Sequence, residues 1–479
     1  MKRIPVTFYY YLSFSLMPVL GLLQTKILTT ILPPKTFGEV QLILPLLGWT
    51  VLIGGMGAPQ FIIRFYSRDG IKAYKEGLFI SVVAILIIGL IGCSFLICFG
   101  VNYKGLEISV WMVLIFLLAV LTQQVVALVK SLLRVQERHV FYNVTLICAK
   151  IFLVAGVIIG VIWRSEFPIE GYLLGSAVAS IAMLLLLIGL FQMQYLWKSR
   201  IPSWTTIGRV ISYGFPIVCM MLMGDLLPNL NRYVIFAKLN TSAVAKYVVG
   251  CMITALCFQT LYEPLNTILH PRVFRTWEKD SKIESREIIT RYLNLYIIVG
   301  LIVCGLSIRF EDILFNIVAN MDYRLPGGCF AILLLSNFLL GIYRFVSIHY
   351  YLERNTIELG LCFLLSIIVT FSAALMLVKK MGLMGAALSF FLGVVFLTGA
   401  VWLRGQQNIR IRLFPKYYIS AVIVLLFLIF VPSLSAWNIY SSLRWLDAGV
   451  SFGIAACFAF FLTKIFDKNY RSLVINEGN

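Results

Sequence analysis

The sequence predicts an all-α polytopic membrane protein with about fourteen transmembrane helices. Three observations predict it. Of its 479 residues, 60% are hydrophobic and 13% charged, with a mean hydropathy of +0.92, too apolar for a soluble protein. Apolar runs about 20 residues long, enough to cross a bilayer at about 1.5 Å per residue, recur from end to end. Lys and Arg outnumber Asp and Glu 40 to 21, for a net charge of +19, and fall in short clusters between those runs. Such clusters set helix orientation. A pI near 9.5 therefore speaks for topology and not for nucleic acid as a partner.

In order, the runs place spans at 8 to 32, 38 to 62, 77 to 100, 108 to 130, 141 to 163, 169 to 195, 210 to 233, 244 to 268, 291 to 316, 328 to 350, 356 to 378, 382 to 403, 416 to 433 and 446 to 466. Lys2 and Arg3 precede the first run, which has no A-x-A-like site and reads as a retained span, not a cleaved signal. Counting Lys and Arg on alternate sides gives 26 against 10, with Lys26, Lys150, Arg232 and Arg344 inside spans. Short basic loops stay in the cytoplasm, so both termini are expected there.

The longest hydrophilic stretch, Pro271 to Arg291, mixes Arg272, Arg275, Lys279, Lys282 and Arg286 with Glu278, Asp280, Glu284 and Glu287. It reads as a solvated cytoplasmic helix and is too short for a catalytic domain. No GxxxxGK[ST] phosphate loop occurs, so uphill movement needs a gradient or a metabolic sink. The ten cysteines lie in or beside apolar runs without a CxxC pair. They read as buried small hydrophobes, neither disulfides nor metal ligands. The chain is thus not expected to be an enzyme, nor to need a cofactor beyond H⁺ or Na⁺ as a coupling ion.

A charged side chain at bilayer depth is costly unless it faces water or a partner, which makes each one a functional candidate. Lys150 sits about nine residues into its span, too deep for easy snorkelling, and reads as facing an aqueous cavity, with a structural ion pair as the alternative. Lys26 lies in the outer third of the first span beside Gln24, where cavity and snorkelling readings balance. Arg232 follows Asp225, Asn229 and Asn231 around Pro228, a polar and kinked stretch of the kind that lines cavities. Arg344 reads as an interface anchor. Asp225 and Glu263 are candidates for ion coupling or for buried ion pairs. Gln123 and Gln124, with Thr122 and Asn337, suit either sugar hydroxyls or interhelical hydrogen bonds. Most of the clustered tyrosines and tryptophans fall at span ends, as in an interfacial belt.

Several segments together resemble a known family. They are Leu32-Pro33-Pro34-Lys35-Thr36-Phe37-Gly38 after the first span, Tyr213-Gly214-Phe215-Pro216 opening the seventh, Asn231-Arg232-Tyr233 near its end, and Asn240-Thr241-Ser242-Ala243-Val244-Ala245-Lys246-Tyr247 leading into the eighth. In order and spacing they resemble the Wzx-like O-antigen and capsule flippases of the multidrug/oligosaccharidyl-lipid/polysaccharide exporter superfamily. The resemblance implies two pseudo-symmetric six-helix lobes around a central cleft: residues 1–200 as the N-terminal lobe and 201–405 as the C-terminal lobe, with 406–479 adding two spans and a tail. It implies a bacterial inner-membrane protein that flips a polyprenyl-pyrophosphate-linked oligosaccharide for surface polysaccharide biosynthesis. Lys26, Lys150 and Arg232 would then be the cations that meet the diphosphate, with membrane lipids, a polysaccharide polymerase and its chain-length machinery as partners. Family members often carry Asp where this chain has Asn231. Two other readings compete. A cation-coupled drug exporter of the same superfamily would favour acids inside its spans, whereas this chain has four cations to two acids. A membrane glycosyltransferase or polymerase would need a larger outer loop.

Overall fold

The computed structural model describes residues 6–99, 102–103, 106–107, 109–136, 138–191, 204–279, 281–353 and 355–408. Within them the fold is helical apart from a two-residue antiparallel hairpin, β1 (Asn102–Tyr103) with β2 (Leu106–Glu107). Eleven helices are long and apolar enough to cross a membrane, and the shorter apolar stretch Leu16–Ile31 precedes them. These twelve coincide with the first twelve expected spans. The two expected at 416 to 433 and 446 to 466 lie outside the described residues. The molecule is a multi-pass membrane protein.

By contacts the chain falls into two units: the first runs to Phe236 and takes Asn240–Ala245, the second takes Ala237–Leu239 and the chain from Lys246 onward. The first unit contains α1 (Val6–Ile31), α2 (Pro34–Gly54), α3 (Ala58–Asp69), α4 (Ile71–Phe99), α5 (Val110–Val135), α6 (His139–Trp163), α7 (Pro168–Phe191) and most of α8 (Trp204–Lys238). In the second unit lie most of α9 (Thr241–Glu278), then α10 (Lys282–Arg309), α11 (Glu311–Val318), α12 (Cys329–Val346), α13 (Ile348–Leu352), α14 (Thr356–Met381) and α15 (Leu383–Asn408).

Three sequence expectations are corrected. The second span is not one helix: α2 ends at Gly54, and α3 restarts at Ala58 after Met56 (φ 47°) and Gly57 (φ 74°) turn through the left-handed region. An apolar run hides such a break, because hydrophobicity carries no information about φ. The stretch 271–291 is not a separate helix; α9 continues through Pro264 and Pro271 to Glu278, and α10 starts at Lys282. Lys130, expected at the end of a span and counted with the loop cations, sits inside α5, which extends to Val135 past the end of its apolar run.

The most extensive packing in the first unit joins α6 to α7. A Cβ on Gly156 would stand 2.5 Å from the Gly175 carbonyl oxygen, and Cβ atoms on Gly160, Gly171 and Gly175 would collide with the facing backbone just as closely. With lipid as solvent there is little hydrophobic drive between helices, so close backbone approach through small residues is what binds them. A second core joins α3, α4, α5 and α7 through Ala58, Ile62, Tyr74, Leu78, Leu128, Leu132, Met183 and Leu187. Gly160→Ala is expected to cost more than the roughly 1–3 kcal/mol of ordinary overpacking, because only backbone can give way. Gly48→Ala, which meets nothing within 4 Å, is the control. Thermal unfolding of the detergent-purified variants checks the difference.

Candidate functional site

The polar groups of the first unit gather along two lines. In the first, the Lys150 Nζ donates to Gln24 Oε1 at 3.1 Å, and Gln24 Nε2 donates to the Tyr172 hydroxyl at 3.3 Å. Helices α6, α1 and α7 are thereby joined at depth. The exposed large apolar residues of α6, Val140, Phe141, Val144, Ile151, Ile159, Ile162 and Trp163, share one side of the helix, as expected for a lipid-facing stripe. At 100° per residue Lys150 points to the opposite side. Gln24 is a neutral acceptor, and among the described residues no carboxylate pairs with Lys150, so its charge stands uncompensated inside protein. Lys26, in contrast, shares its α1 face with the exposed Val19 and Leu23 and lies nearly half a turn round from Gln24. The two residues that look like neighbours in sequence serve different faces.

The second line is the seam of α8 with α2 and α3. Arg209 pairs with Asp69 at 3.4 Å, and Tyr213 meets Phe65 edge-on at 5.4 Å. Gly214 lies so close to Met56 and Gly57 that neither glycine can carry a side chain. Farther along, Asp225 Oδ2 accepts from Trp49 Nε1 at 2.7 Å, and the Tyr233 hydroxyl donates to the Leu42 carbonyl at 2.9 Å. Arg232 Nη1 donates to the Gln41 carbonyl at 3.1 Å. Asn231 is fully buried. Asp225 and Arg232 thus belong to one polar seam, and the stretch around Pro228, continuous helix within α8, meets α2 through Trp49, Gln41 and Leu42.

Gln124 serves the break in the second span. Its Nε2 donates to the Ser81 hydroxyl at 3.4 Å, and Ser81 donates at 3.2 Å to the Gly55 carbonyl, which also accepts from the Ala58 N–H at 2.8 Å where the helix stops. Gln123 is half-buried one position earlier on a different face. In the second unit, Glu263 and Arg344 are brought together: Glu263 Oε1 accepts from Tyr262 at 2.7 Å and lies 4.0 Å from Arg344, whose guanidinium hydrogen-bonds the Tyr262 hydroxyl and sits over its ring. One face of α12 thus meets α9 twice, at Arg344 and through Asn337, which donates to Thr254 at 3.1 Å. Beyond that span, burial pushes the imidazole of His270 below its usual range, opposed by Glu263.

Sequence reasoning missed Tyr172, Trp49, Gln41 and Tyr262. Buried polar side chains in apolar runs are the signal that could have found Gln41, but the partners of Tyr172, Trp49 and Gln41 lie more than a hundred residues away. Among the described residues no three His, Cys, Asp or Glu side chains gather to hold a metal. Replacing Gln124 with Leu removes the donor that reaches the Ser81 hydroxyl and is expected to cost about 0.5–1.5 kcal/mol. The thermal midpoint of the purified variant measures it.

Comparison with known proteins agrees with this architecture. The chain aligns over 97% of its length, and 99% of the other, with lipid II flippase MurJ in an inward closed conformation, at 13% identity and TM-score 0.73. A multidrug resistance MATE family transporter of the MOP superfamily, inward-facing, matches at 14% identity and TM-score 0.61, covering 82% of this chain and 94% of that one. A MOP superfamily transporter from Pyrococcus furiosus, described by the reverse polarity of its binding pocket, matches at 14% identity and TM-score 0.59 over 84% and 95%. At these identities the likeness establishes the fold. No curated protein matches the chain. The model of the family described as polysaccharide biosynthesis protein matches residues 6–277, more than half of the chain, and the chain belongs to that family.

Proposed function

We propose that this protein translocates a polyprenyl-pyrophosphate-linked oligosaccharide from the cytoplasmic to the outer leaflet of a bacterial inner membrane by alternating access, with both termini in the cytoplasm. The observation that carries the reading is Lys150. It is a cation deep in a span, turned away from the lipid stripe of its helix, held by the neutral Gln24, with no acid beside it among the described residues. A buried charge without a counter-charge is strongly disfavoured on its own. The cost is offset when the ligand supplies the opposite charge, as a diphosphate does, and Lys150 then retains two N–H donors to offer it. The glycan needs a hydrated, hydrogen-bonding route, while the polyprenyl tail stays in lipid.

Arg232 and Lys26 complete the proposed cationic set, Arg232 from the seam and Lys26 from the open face of α1. Membership of a polysaccharide biosynthesis family and the fold shared with MurJ support a lipid-linked glycan as cargo. The acids argue against the cation-coupled drug exporter: Asp225 is engaged by Trp49 and Glu263 by Tyr262 and Arg344. With no phosphate loop in the sequence, the drive is an H⁺ or Na⁺ gradient or consumption of the glycan on the far side. A polysaccharide polymerase and its chain-length machinery are the natural consumers of the flipped unit.

Deleting the gene is expected to make complete, unpolymerised lipid-linked units accumulate on the cytoplasmic side while surface polymer disappears. Accumulation of incomplete units would instead indicate a glycosyltransferase, and sensitisation to small toxic cations with unchanged glycans a drug exporter. In the deletion strain, Lys150→Ala at normal expression is expected to restore less than about a tenth of polymer export, and Lys150→Arg a substantial part. Full export by Lys150→Ala would remove Lys150 from the site.

A further inference from the structure

The burial pattern of α5 changes side halfway along the helix. In its outer half the exposed residues are Val110, Trp111, Leu114 and Leu118, at 43%, 58%, 48% and 42%, all within one sector and all apolar, as a lipid-facing strip should be. In the inner half that sector is core: Val125, Leu128, Leu132 and their neighbours pack against α3, α4 and α7. Between Thr122 and Arg134 only four residues are not buried, namely Gln123, Ala127, Lys130 and Arg134. They recur at i, i+4, i+7 and i+11, within about 60° of helix circumference by the 3.6-residue repeat. This narrow opening lies opposite the core and contains no large apolar residue.

A strip facing acyl chains would not be built from Gln, Ala, Lys and Arg. It is also costly. Lys130 and Arg134 are like charges one turn apart, an arrangement that destabilises a helix, and neither side chain makes an ion pair or hydrogen bond among the described residues; nor does that of Gln123. Two adjacent cations and an amide, unpartnered among the described residues in a half-helix that is otherwise enclosed, fit a ligand that is anionic and rich in acceptors.

We infer that the Gln123–Lys130–Arg134 strip of α5 is a hydrated anion-binding site for a phosphate or diphosphate headgroup, distinct from Lys150 and nearer the basic end of the span. This rests on the proposed translocation reading for its place in transport: the headgroup meets Arg134 and Lys130 first and Lys150 afterwards. The site itself rests on the helix.

The test uses the full-length protein in phosphatidylcholine vesicles with cysteine placed at Ala127, in the middle of the strip, and at Leu118, on the apolar face, each compared with the parent protein. A membrane-impermeant thiol reagent is expected to label Ala127→Cys and to leave Leu118→Cys at the parent level. Millimolar inorganic pyrophosphate is expected to slow labelling of Ala127→Cys at least threefold, and to lose that effect when Lys130→Met is added. Lys130→Arg should keep it. Lys130→Met, which removes an unpaired charge, should unfold no earlier than the parent; a lower midpoint together with unchanged protection would make Lys130 structural and overturn the site. No labelling at Ala127→Cys would overturn the hydrated strip. Protection by added phosphatidylglycerol but not by pyrophosphate would assign the strip to bulk lipid and overturn its place in transport. Protection by pyrophosphate in a protein that fails to flip a polyprenyl-diphosphate glycan would leave the site standing and remove the translocation reading. Flipping without protection would do the reverse.

Discussion

Backbone-to-backbone contact at Gly156, Gly160, Gly171 and Gly175 sets the position of the polar groups in the first unit. In lipid, helices gain little from hiding apolar surface against each other, so a pair that must keep a fixed register does so by removing side chains between them. Lys150 lies six residues before the first of these glycines, and Tyr172 directly follows the third. Gln24 can bridge the two only because α6 and α7 are locked at this distance. The Lys150 amine is thus held at a point in space by a contact in which it takes no part.

The same economy governs the charges. Two carboxylates inside the described spans are engaged: Asp225 with Trp49, Glu263 with Tyr262 and Arg344. Among the described residues the cations Lys130 and Lys150 have no acid as partner, and the excess of positive charge there is an asymmetry of satisfaction as well as of number. The hydrogen bond to the neutral Gln24 holds Lys150 in place without cancelling its field, which is what a route for an anion requires.

Much of the architecture was legible because a bilayer imposes length: apolar runs of about 20 residues marked twelve of the helices now seen, to within a few residues at most ends. What was not legible depended on φ, on partners or on helix faces near the ends. The break between α2 and α3 depends on Met56 and Gly57 adopting positive φ inside an unbroken apolar run. The extension of α9 defies the usual reading of Pro264 and Pro271 as stops. Lys150 was recognisable from depth alone, yet its partner Gln24 is 126 residues away and looked like company for Lys26. Lys130 was lost by ending a helix where the apolar run ended, although the spacing of Gln123, Ala127, Lys130 and Arg134 was present in the sequence throughout.

The length of α9 has a mechanical consequence. The apolar part ends near Glu263, but the helix continues to Glu278, a rigid rod projecting about 22 Å past the span at 1.5 Å per residue. Such a rod is a lever. A change of about 10° in the tilt of the span displaces its tip by about 4 Å, carrying Arg272 and Arg275 with it. A rotation too small to register within the membrane would be amplified there into a shift of positive charge comparable to the length of a salt bridge.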